Sequence, residues 1–388
     1  MIERAKALQT QLEQIKNKLH GMPELSFLEH KTTEFLKREI SRMGLEIIDI
    51  GMETGVVALL RGARPGKTVA LRTDIDAIER PGENGSAAPQ DRGAIHGCGH
   101  DFHMTCLLGA AALLTERKHE LFGNVAFLFQ PAEEITRGAQ AMIDHGLFEK
   151  LPPVDSLFGL HNRPEIQAGK VGVKPGALMA GKSNFEIVLH GVAGHGGMPH
   201  KCVDVIVAAA AIINAVQTVV SRNTDPLEPI VCAICSIHAG TPKNLITDTL
   251  TMTGSLRSLS TATHQMAQRR LDEIVRQTAA AYGCTAELTM IPEVPVLENG
   301  EEMTALARRA AAKALGEENI VVPEPCLASE DFAVFGQRVP AFFYWLGSGV
   351  PGKENAPWHS GRFATDDRAL HLGALLLAES ALVALEKK

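Results

Sequence analysis

The sequence lacks the marks of a membrane-anchored, exported or nucleic-acid-binding protein. Its 388 residues contain 38 Lys and Arg against 45 Asp and Glu, which gives a formal net charge of -7. Because the two signs are interspersed, we expect no basic surface for nucleic acid or for an anionic membrane. Residues 1–18 alternate charged side chains with Leu and Ile at helical spacing, without the continuous apolar core of a signal peptide. No uninterrupted apolar stretch has the length of a bilayer span, so we also expect no membrane segment.

Cysteine is too scattered to form a disulfide framework. The chain has seven cysteines, and their odd number favours a reducing compartment. Cys232 and Cys235 form a Cys-x-x-Cys pair, but they lie within the apolar run 230–237, so buried strand thiols are the favoured interpretation. Together with the missing signal peptide, these features predict a cytoplasmic protein.

The remaining composition is that of an ordinary globular protein. Hydrophobic residues make up 45% and charged residues 21% of the chain, which argues against a mostly disordered or fibrous protein. A chain of 388 residues also exceeds the usual size of one hydrophobic core. We therefore expect two domains.

The outer parts of the sequence predict an α/β domain. Short apolar runs alternate there with helical segments, which is typical of a mixed, largely parallel sheet flanked by helices. The predicted strands are 68–71, 125–129, 156–160 and 341–346. The polar residues that follow them are Asp74 and Asp76, Glu133 and Glu134, His161, and the loop 347–359. In open α/β sheets the functional crevice lies beyond the carboxyl ends of the strands, so we expect these residues to meet there.

The middle of the chain predicts a second, inserted domain. Between residues 178 and 291 the order changes to β-α-β-β-α-β, the ferredoxin-like split arrangement. The predicted strands are 183–190, 230–238, 247–257 and 285–290, and the predicted helices are 204–222 and 262–282. Segment 249–256 alternates Thr and Ser with apolar residues, so one face of this sheet is expected to be wet. We predict a catalytic domain of residues 1–178 and 291–388, with a satellite domain of residues 179–290 that offers an exposed edge or face to another subunit.

The string His-Gly-Cys-Gly-His-Asp at 96–101 is the clearest candidate for chemistry. Cys98 and His100 are separated by one glycine, so both can bind a metal from one turn. Three more potential ligands follow strand-like segments: Glu134, His161 and His359. These ligand types favour zinc, cobalt or manganese, and one thiolate does not demand copper or an iron–sulfur cluster. Five ligands exceed one tetrahedral site, which predicts two divalent ions about 3.5–4 Å apart, bridged by Cys98 or a water.

Two pairs of carboxylates accompany these ligands. Glu133 and Glu134 are adjacent and point in different directions, so one can bind a metal while the other moves a proton between water and a leaving amine. The alternative is a helix N-terminus in which both favour the helix dipole. Asp74 and Asp76 share one face of an extended chain, where we expect Asp76 to serve catalysis by orienting a ligating histidine. A solvated strand end is the alternative for this pair.

Seven strings along the chain carry a family resemblance. They are His20-x-x-Pro-Glu-Leu-Ser-Phe, Arg72-Thr-Asp-Ile-Asp-Ala, His96-Gly-Cys-Gly-His-Asp-x-His, Phe129-Gln-Pro-Ala-Glu-Glu, Gly159-Leu-His, Gly194-His-Gly-Gly-Met-Pro-His and Trp358-His-Ser. Together they resemble the dinuclear-metal aminoacylase and carboxypeptidase superfamily. The branch they resemble is that of N-acyl-amino-acid amidohydrolases, which includes hippurate hydrolase and the plant indole-acetyl-amino-acid hydrolases. The resemblance implies a zinc-exopeptidase-like catalytic domain with a satellite domain that forms a homodimer or a dimer-based homo-oligomer.

The resemblance also implies a role for each candidate. The implied metal ligands are Cys98, His100, Glu134, His161 and His359, with Glu133 as the general base. His195 would reach the active site of the partner subunit and stabilise the developing oxyanion. Asn244 and Arg257 would bind the α-carboxylate of the substrate. The alternatives are a turn-forming role for Asn244 and a strand-end salt bridge for Arg257.

Three positions depart from the pattern of this branch. Gly196-Gly197 stands where Ala-Ala is common, Asp204-Val205 replaces Asp-Pro, and Lys182-Ser183 replaces an acidic residue. These positions border the substrate pocket, so they leave the acyl preference open.

The sequence therefore predicts a metal-dependent amidohydrolase that cleaves N-acyl-L-amino acids, small-molecule substrates, into a carboxylic acid and a free amino acid. A dipeptidase of the same superfamily is an alternative. A second is a cysteine hydrolase with Cys98 as nucleophile and His100 as base, although one intervening glycine makes the required geometry awkward. A third is a dimeric binding protein that keeps the fold without catalysis.

Overall fold

The computed structural model describes residues 1–80, 93–240 and 244–386. The chain divides into two compact units. The first unit comprises Met1–Gly176, Glu298–Glu324 and Val334–Lys388, and the second comprises Ala177–Leu297 and Pro325–Ala333.

Helices and strands alternate along the described residues. The helices are α1 Ile2–Ala7, α2 Gln9–His20, α3 His30–Arg42, α4 His100–Glu116, α5 Gly138–Asp144, α6 Leu147–Lys150, α7 Val205–Asn223, α8 Thr261–Ala281, α9 Glu301–Leu315, α10 Phe332–Gly336 and α11 Leu370–Leu385. The strands are β1 Glu46–Ile47, β2 Val56–Arg61, β3 Arg64–Asp74, β4 Ile78–Glu79, β5 Ala94–Ile95, β6 Phe122–Gln130, β7 Val154–Gln167, β8 Val171–Gly172, β9 Gly176–Met179, β10 Gly181–His190, β11 Gly194–His195, β12 Ile230–Ala239, β13 Leu245–Ile246, β14 Thr249–Ser258, β15 Thr285–Val294, β16 Leu297–Asn299, β17 Ile320–Val321 and β18 Ala341–Gly349.

A mixed sheet forms the centre of the first unit. Its strand order is β1-β2-β6-β3-β7-β18-β8-β17, and the pairs β3–β6, β3–β7 and β7–β18 are parallel. The four predicted strands lie within β3, β6, β7 and β18, so the predicted fold class is confirmed. Within these strands the predicted segments 68–71, 125–129, 156–160 and 341–346 are almost entirely buried, as expected where both faces of a parallel sheet are covered.

Two buried helices pack on this sheet. α4 and α11 contact each other as well as β3, and both are buried over most of their length. Their apolar side chains join the core cluster of the first unit. α4 begins at His100, so the candidate metal ligands Cys98 and His100 lie at the start of one of the most buried helices in the described chain.

Two helices meet a criterion of length and mean hydropathy for a bilayer span, although polar residues such as Asn214 and Glu379 interrupt their apolar runs. They are Val205–Asn223 and Asp367–Leu385. In Asp367–Leu385, 72% of the apolar window is buried inside the protein, which accounts for its composition. In Val205–Asn223 the buried share is 33%, because only one face of α7 packs on the sheet of the second unit.

The second unit contains a four-stranded antiparallel sheet. Its strand order is β12-β14-β10-β15, and the chain order β10-α7-β12-β14-α8-β15 follows the predicted β-α-β-β-α-β sequence. Burial alternates residue by residue along β10 and β14, because one face of the sheet packs against α7 and α8.

The two units differ from the predicted domain boundaries in one main respect. The segment Pro325–Ala333, predicted with the catalytic domain, belongs to the second unit. Its backbone is tied there because the Cys326 N–H donates to Leu178 O at 3.1 Å and the Ala180 N–H donates to Ala328 O at 2.9 Å. Such a return of the chain depends on tertiary hydrogen bonds, which local sequence patterns do not encode.

Candidate active site

The Cys-Gly-His string forms a sharp turn at the start of α4. Gly99 has φ 88°, and a Cβ there would lie 2.5 Å from Asn162 Nδ2. Only glycine fits this left-handed position beside a neighbouring side chain. The turn places Cys98 and His100 in the interior, where they are 8% and 1% exposed.

The five predicted metal ligands form one connected cluster in the first unit. Donor atoms of Cys98, His100 and Glu134 all lie within 4.8 Å of one another, with His100 Nε2 3.6 Å from Glu134 Oε1. On one side, His161 Nε2 lies 3.4 Å from Cys98 Sγ. On the other side, His359 Nε2 lies 3.2 Å from Glu134 Oε2. The structure therefore brings together residues that are up to 261 positions apart in the sequence.

Strand ends and strained turns place these ligands. β3 ends at Asp74 and β6 at Gln130, and these two residues are partners in the parallel pairing. His161 lies in β7, the other parallel neighbour of β3, so the ligands gather at the carboxyl edge of the sheet. His359 is held at φ 62°, and its N–H donates to Gly97 O at 2.8 Å. This strain in a candidate ligand is typical of functional sites.

Asp76 orients the imidazole of His100. Its Oδ1 accepts a hydrogen bond from His100 Nδ1 at 3.2 Å, while its Oδ2 accepts from the Glu134 N–H at 3.0 Å and from Ser26 Oγ at 2.8 Å. The bond at Nδ1 leaves His100 Nε2 facing the other ligands. Burial alone would lower the pKa of His100, but Asp74, Asp76 and Glu134 raise that pKa to about 10. The site thus attracts positive charge at the position of Nε2.

His161 and His103 are held by a second set of bonds. The Nδ1 of His161 donates to Asn162 O at 2.8 Å, which leaves Nε2 facing Cys98. His103 donates from Nδ1 to Asp74 Oδ1 at 2.7 Å and accepts from the Asn162 N–H at Nε2, also at 2.8 Å. Burial lowers the pKa of both histidines. Asp74 thus orients His103 beside the cluster rather than occupying a solvated strand end.

Both adjacent glutamates lie beside His100. Glu134 is 3.6 Å from His100 Nε2 and 3.2 Å from His359 Nε2, and Glu133 Oε2 is 3.9 Å from the same His100 nitrogen. The alternative that this pair begins a helix is wrong, because the next helix, α5, begins at Gly138. Glu133 is 6% exposed, so it lies beside the ligands in a site largely shielded from bulk water.

The thiol of Cys98 is not activated as a nucleophile. Burial, Glu134 and Glu133 raise the pKa of Cys98 well above its ordinary value, whereas nucleophilic cysteines have a lowered pKa. The alternative of a Cys98–His100 pair also lacks geometric support, since the imidazole nitrogen beside Sγ belongs to His161.

The donor set fits two divalent cations. Among the described residues, His100 Nε2 and Glu134 Oε1 are buried side-chain atoms without a hydrogen-bond partner. Buried polar atoms rarely stay unsatisfied, and both atoms point into the same cluster. One thiol, three imidazoles and a carboxylate exceed the four ligands of a single tetrahedral ion, so they suit a two-metal centre.

Sequence reasoning missed Asn162, which binds four parts of the site together. Its Nδ2 donates to Cys98 O at 2.5 Å, and its Oδ1 accepts from Ser348 Oγ and Trp358 Nε1, each at 3.2 Å. Its backbone N–H holds His103. Its position directly after His161 was the only signal in the sequence.

An aromatic stack behind His161 was also missed. The rings of Trp345 and Trp358 are stacked with centroids 5.4 Å apart, and they lie 5.7 and 5.0 Å from the ring of His161. The guanidinium of Arg163 lies over both indoles, 4.8 and 5.3 Å from their centroids. The stack packs the candidate ligand His161 against a cation and two large rings.

In the second unit, His195 lies on β11, and Asn244 directly precedes the neighbouring strand β13. β11 and β13 pair, and the Gly196 N–H donates to Asn244 O at 3.0 Å. His195 is exposed, and its Nδ1 accepts from the Gly197 N–H at 3.0 Å, so the proton lies on Nε2. A Cβ at Gly197 would lie 3.2 Å from Nδ1, which gives the Gly-Gly departure a local reason. Residues 241–243 of the string before Asn244 lie outside the described residues.

Arg257 lies half-buried on β14. Its guanidinium donates from one Nη to Leu327 O at 3.0 Å and to Ser329 Oγ at 3.3 Å. These bonds hold the segment Pro325–Ala333 within the second unit. Binding of a substrate carboxylate by this guanidinium stays a prediction.

A buried thiol, three imidazoles and two carboxylates at the carboxyl edge of a sheet define the protein as a metal-dependent hydrolase. The comparisons with known proteins then identify the family. The chain belongs to Peptidase family M20/M25/M40, whose model matches residues 70–382.

Relatives and a solved structure agree with this assignment. The chain is 38% identical over 383 residues to N-acetylcysteine deacetylase of Bacillus subtilis (strain 168), with 98% of each chain covered. It is 33% identical over 379 residues to IAA-amino acid hydrolase ILR1-like 2 of Arabidopsis thaliana, covering 96% of this chain and 85% of the relative. The crystal structure of the Bacillus subtilis YXEP protein, a dinuclear metal binding peptidase from the M20 family, matches with a TM-score of 0.84 at 35% identity, covering 98% of this chain and 99% of that one. The predicted superfamily is confirmed, and the protein is a hydrolase that acts on amide bonds.

Proposed function

We propose that this protein hydrolyses N-acyl-L-amino acids to a carboxylic acid and a free amino acid. The observation that carries the proposal is the cluster of Cys98, His100 and Glu134 with Glu133 beside it, because an amide bond needs both a polarised carbonyl and an activated water. Relatives named as a deacetylase and an amino acid hydrolase support an N-acyl amino acid as the substrate.

We assign metal ligation to the five clustered residues: Cys98, His100, Glu134, His161 and His359. Their mixture of imidazole, carboxylate and thiolate suits zinc, manganese or cobalt. When bound, the two ions polarise the scissile carbonyl and lower the pKa of a coordinated water. Asp76 contributes by aiming His100 Nε2 and by fixing the backbone of Glu134.

Glu133 is our candidate for the general base. Its Oε2 lies 3.9 Å from His100 Nε2, close enough to the candidate ligands to reach a water held among them. Glu133 accepts the proton of the attacking water as the C–O bond forms, and it delivers that proton to the leaving nitrogen as the C–N bond breaks. One residue thereby serves both halves of the reaction.

The second unit supplies the substrate contacts in this proposal. With Nδ1 accepting from the Gly197 N–H, His195 presents an Nε2–H, which suits donation to a developing oxyanion. We propose that it acts on the active site of the partner subunit in a homodimer, while Asn244 and Arg257 bind the α-carboxylate.

The exposed apolar side chains of the second unit are consistent with a subunit interface: Val192, Met198, Ile206, Val207, Ile237 and Leu245. The free thiols of all seven cysteines suit the proposed cytoplasmic location.

A substrate and metal panel tests the proposal. Protein stripped with a chelator is reloaded with zinc, manganese or cobalt and incubated with N-acetyl, N-benzoyl and indole-acetyl amino acids and with dipeptides. We expect release of free amino acid from at least one N-acyl substrate only in the metal-loaded protein. Full activity after exhaustive chelation would revive the thiol mechanism, and faster cleavage of dipeptides than of every N-acyl substrate would favour the dipeptidase alternative. A metal-loaded protein that cleaves nothing in the panel would support a binding protein.

A further inference from the structure

A buried glutamate outside the ligand cluster contacts the turn that carries both catalytic glutamates. Glu29 is 0% exposed and directly precedes α3. Its Oε1 accepts a hydrogen bond from the Ala132 N–H at 2.9 Å. Ala132 immediately precedes Glu133 and Glu134, so this bond joins the start of α3 to the site.

The turn that Glu29 holds has an unusual backbone. Ala132 adopts φ 55°, a left-handed conformation that a residue with a Cβ rarely adopts. Its carbonyl accepts from the N–H groups of Arg137 and Gly138 at 3.2 and 3.0 Å. Those bonds hold the carbonyl of Ala132, and the bond from Glu29 holds its N–H. A strained residue persists only where its surroundings hold it in place.

The carboxyl group of Glu29 is costly to bury. Burial and, to a lesser extent, the nearby charge of Asp76 raise its pKa to about 7. An apolar side chain of similar volume would fill the same space without this desolvation. The carboxyl therefore contributes an acceptor for the Ala132 N–H rather than favourable packing.

We propose that Glu29 is a positioning residue, which holds Ala132 in its left-handed conformation so that Glu133 and Glu134 both lie beside His100. The inference rests on the roles proposed for those two glutamates. Glu29 touches neither substrate nor metal in this scheme, and it acts through the backbone of one residue.

Three variants test this role. Glu29→Met removes the acceptor and keeps the volume, while Glu29→Gln keeps an acceptor oxygen at the same reach. Glu24→Ala is the matched control, because the Glu24 carboxylate accepts from the N–H groups of Lys31 and Thr32 at the start of the same helix. We measure kcat, KM, thermal unfolding and zinc affinity for each.

We expect Glu29→Met to lower kcat or zinc affinity roughly 10- to 100-fold, the range for partners that orient metal-site residues, with KM little changed. Glu29→Gln should recover most of that loss. Glu24→Ala should lower the unfolding temperature while kcat stays close to that of the parent protein.

Several outcomes would overturn the role. They are a kcat and zinc affinity in Glu29→Met equal to those of the parent, an equal kcat loss in Glu24→Ala, or no recovery in Glu29→Gln. If Glu29→Met does not fold, Glu29→Asp, which withdraws the carboxylate by one methylene, must show the same kcat loss. If the parent protein cleaves no N-acyl amino acid, the proposed function fails, and the zinc affinities of the variants still decide the role of Glu29.

Discussion

The metal-ligand cluster and the His195–Asn244 pair represent two ways of building a site. In the cluster, His100 and His161 are buried, and each has its non-ligating nitrogen bonded to a fixed partner. In the second unit, His195 on the short strand β11 and Asn244 in the turn before β13 are both exposed. The cluster is thus oriented by its own unit before anything binds. The side chains of the exposed pair face solvent. We therefore expect them to contribute to binding or catalysis only when substrate and a partner subunit are present.

The largest effect is expected from Glu133, and its absence would contradict the roles that we assign within the buried cluster. Glu133→Gln keeps the shape of the side chain and removes the base, so kcat should fall by about 10²–10⁴-fold, the usual contribution of a general acid–base. The metal content, measured by mass spectrometry, should stay at the parent level because Glu133 is not among the ligands. A variant that loses metal would make Glu133 a ligand and would reverse the assignment of the two glutamates.

The next effect concerns the exposed region. His195→Ala should lower kcat roughly 10²–10³-fold if Nε2–H supports the oxyanion, with metal content unchanged. Mixing this variant with Glu133→Gln subunits provides the sharper test. If His195 acts on the partner subunit, mixed dimers contain one complete site, and the activity should return to about a quarter of the parent value.

The mixing experiment distinguishes a site that contains His195 of the partner subunit from a site that contains His195 of its own chain. Return of activity requires that the two residues come from different subunits. Mixed samples that stay inactive, while size analysis shows that subunits have exchanged, would place His195 in the site of its own chain. His200→Ala is the matched control, since His200 is an exposed histidine of the same segment without an assigned role.

A smaller effect is expected from Asp76, and it tests which hydrogen bond orients His100 in the buried cluster. Asp76→Asn weakens the acceptor for His100 Nδ1, so zinc affinity or activity should fall roughly 10- to 100-fold. Ser26→Ala removes only one bond to the far oxygen of Asp76 and should have a smaller effect. Competition titration with a chromogenic chelator measures both affinities. Equal losses in the two variants would mean that the Asp76 network, rather than its bond to His100, sets the affinity.

The sequence predicted the parts of the molecule that depend on residue type and spacing. The buried parallel strands are continuous apolar runs, and Cys98-Gly-His100 is a local turn, so both are visible without coordinates. Adjacency predicted separate roles for Glu133 and Glu134, but deciding which is the ligand and which the base needed the family resemblance, because the two carboxylates are chemically identical.

What the sequence could not give depends on tertiary contacts. Glu29 is 103 positions from the N–H that it accepts, and Asn162 joins residues from three separate segments. The return of Pro325–Ala333 to the second unit likewise depends on hydrogen bonds to Leu178 and Ala180. No spacing rule connects such residues, because packing decides which polar group a buried side chain meets.

The smallest expected effect is a change in tryptophan fluorescence, which reports on one of the two regions because only that region contains tryptophan. Both tryptophans of the chain, Trp345 and Trp358, lie within 6 Å of the ring of His161, and residues 177–297 contain none. Adding zinc to the stripped protein should therefore change the tryptophan emission, because a cation bound by His161 alters the electrostatic field at both indole rings. The change should saturate near two equivalents.

Single-tryptophan variants make this measurement specific. In Trp358→Phe, Trp345 remains buried beside His161, so a reduced response should persist. In Trp345→Phe, the remaining Trp358 also adjoins the ligand His359, and the response should be the larger of the two. Tryptophan emission that is unaffected by zinc, while mass spectrometry finds two bound ions, would place the metals away from His161. Because both indoles lie beside His161 and residues 177–297 have no tryptophan, the signal isolates metal binding from events at His195 and Asn244.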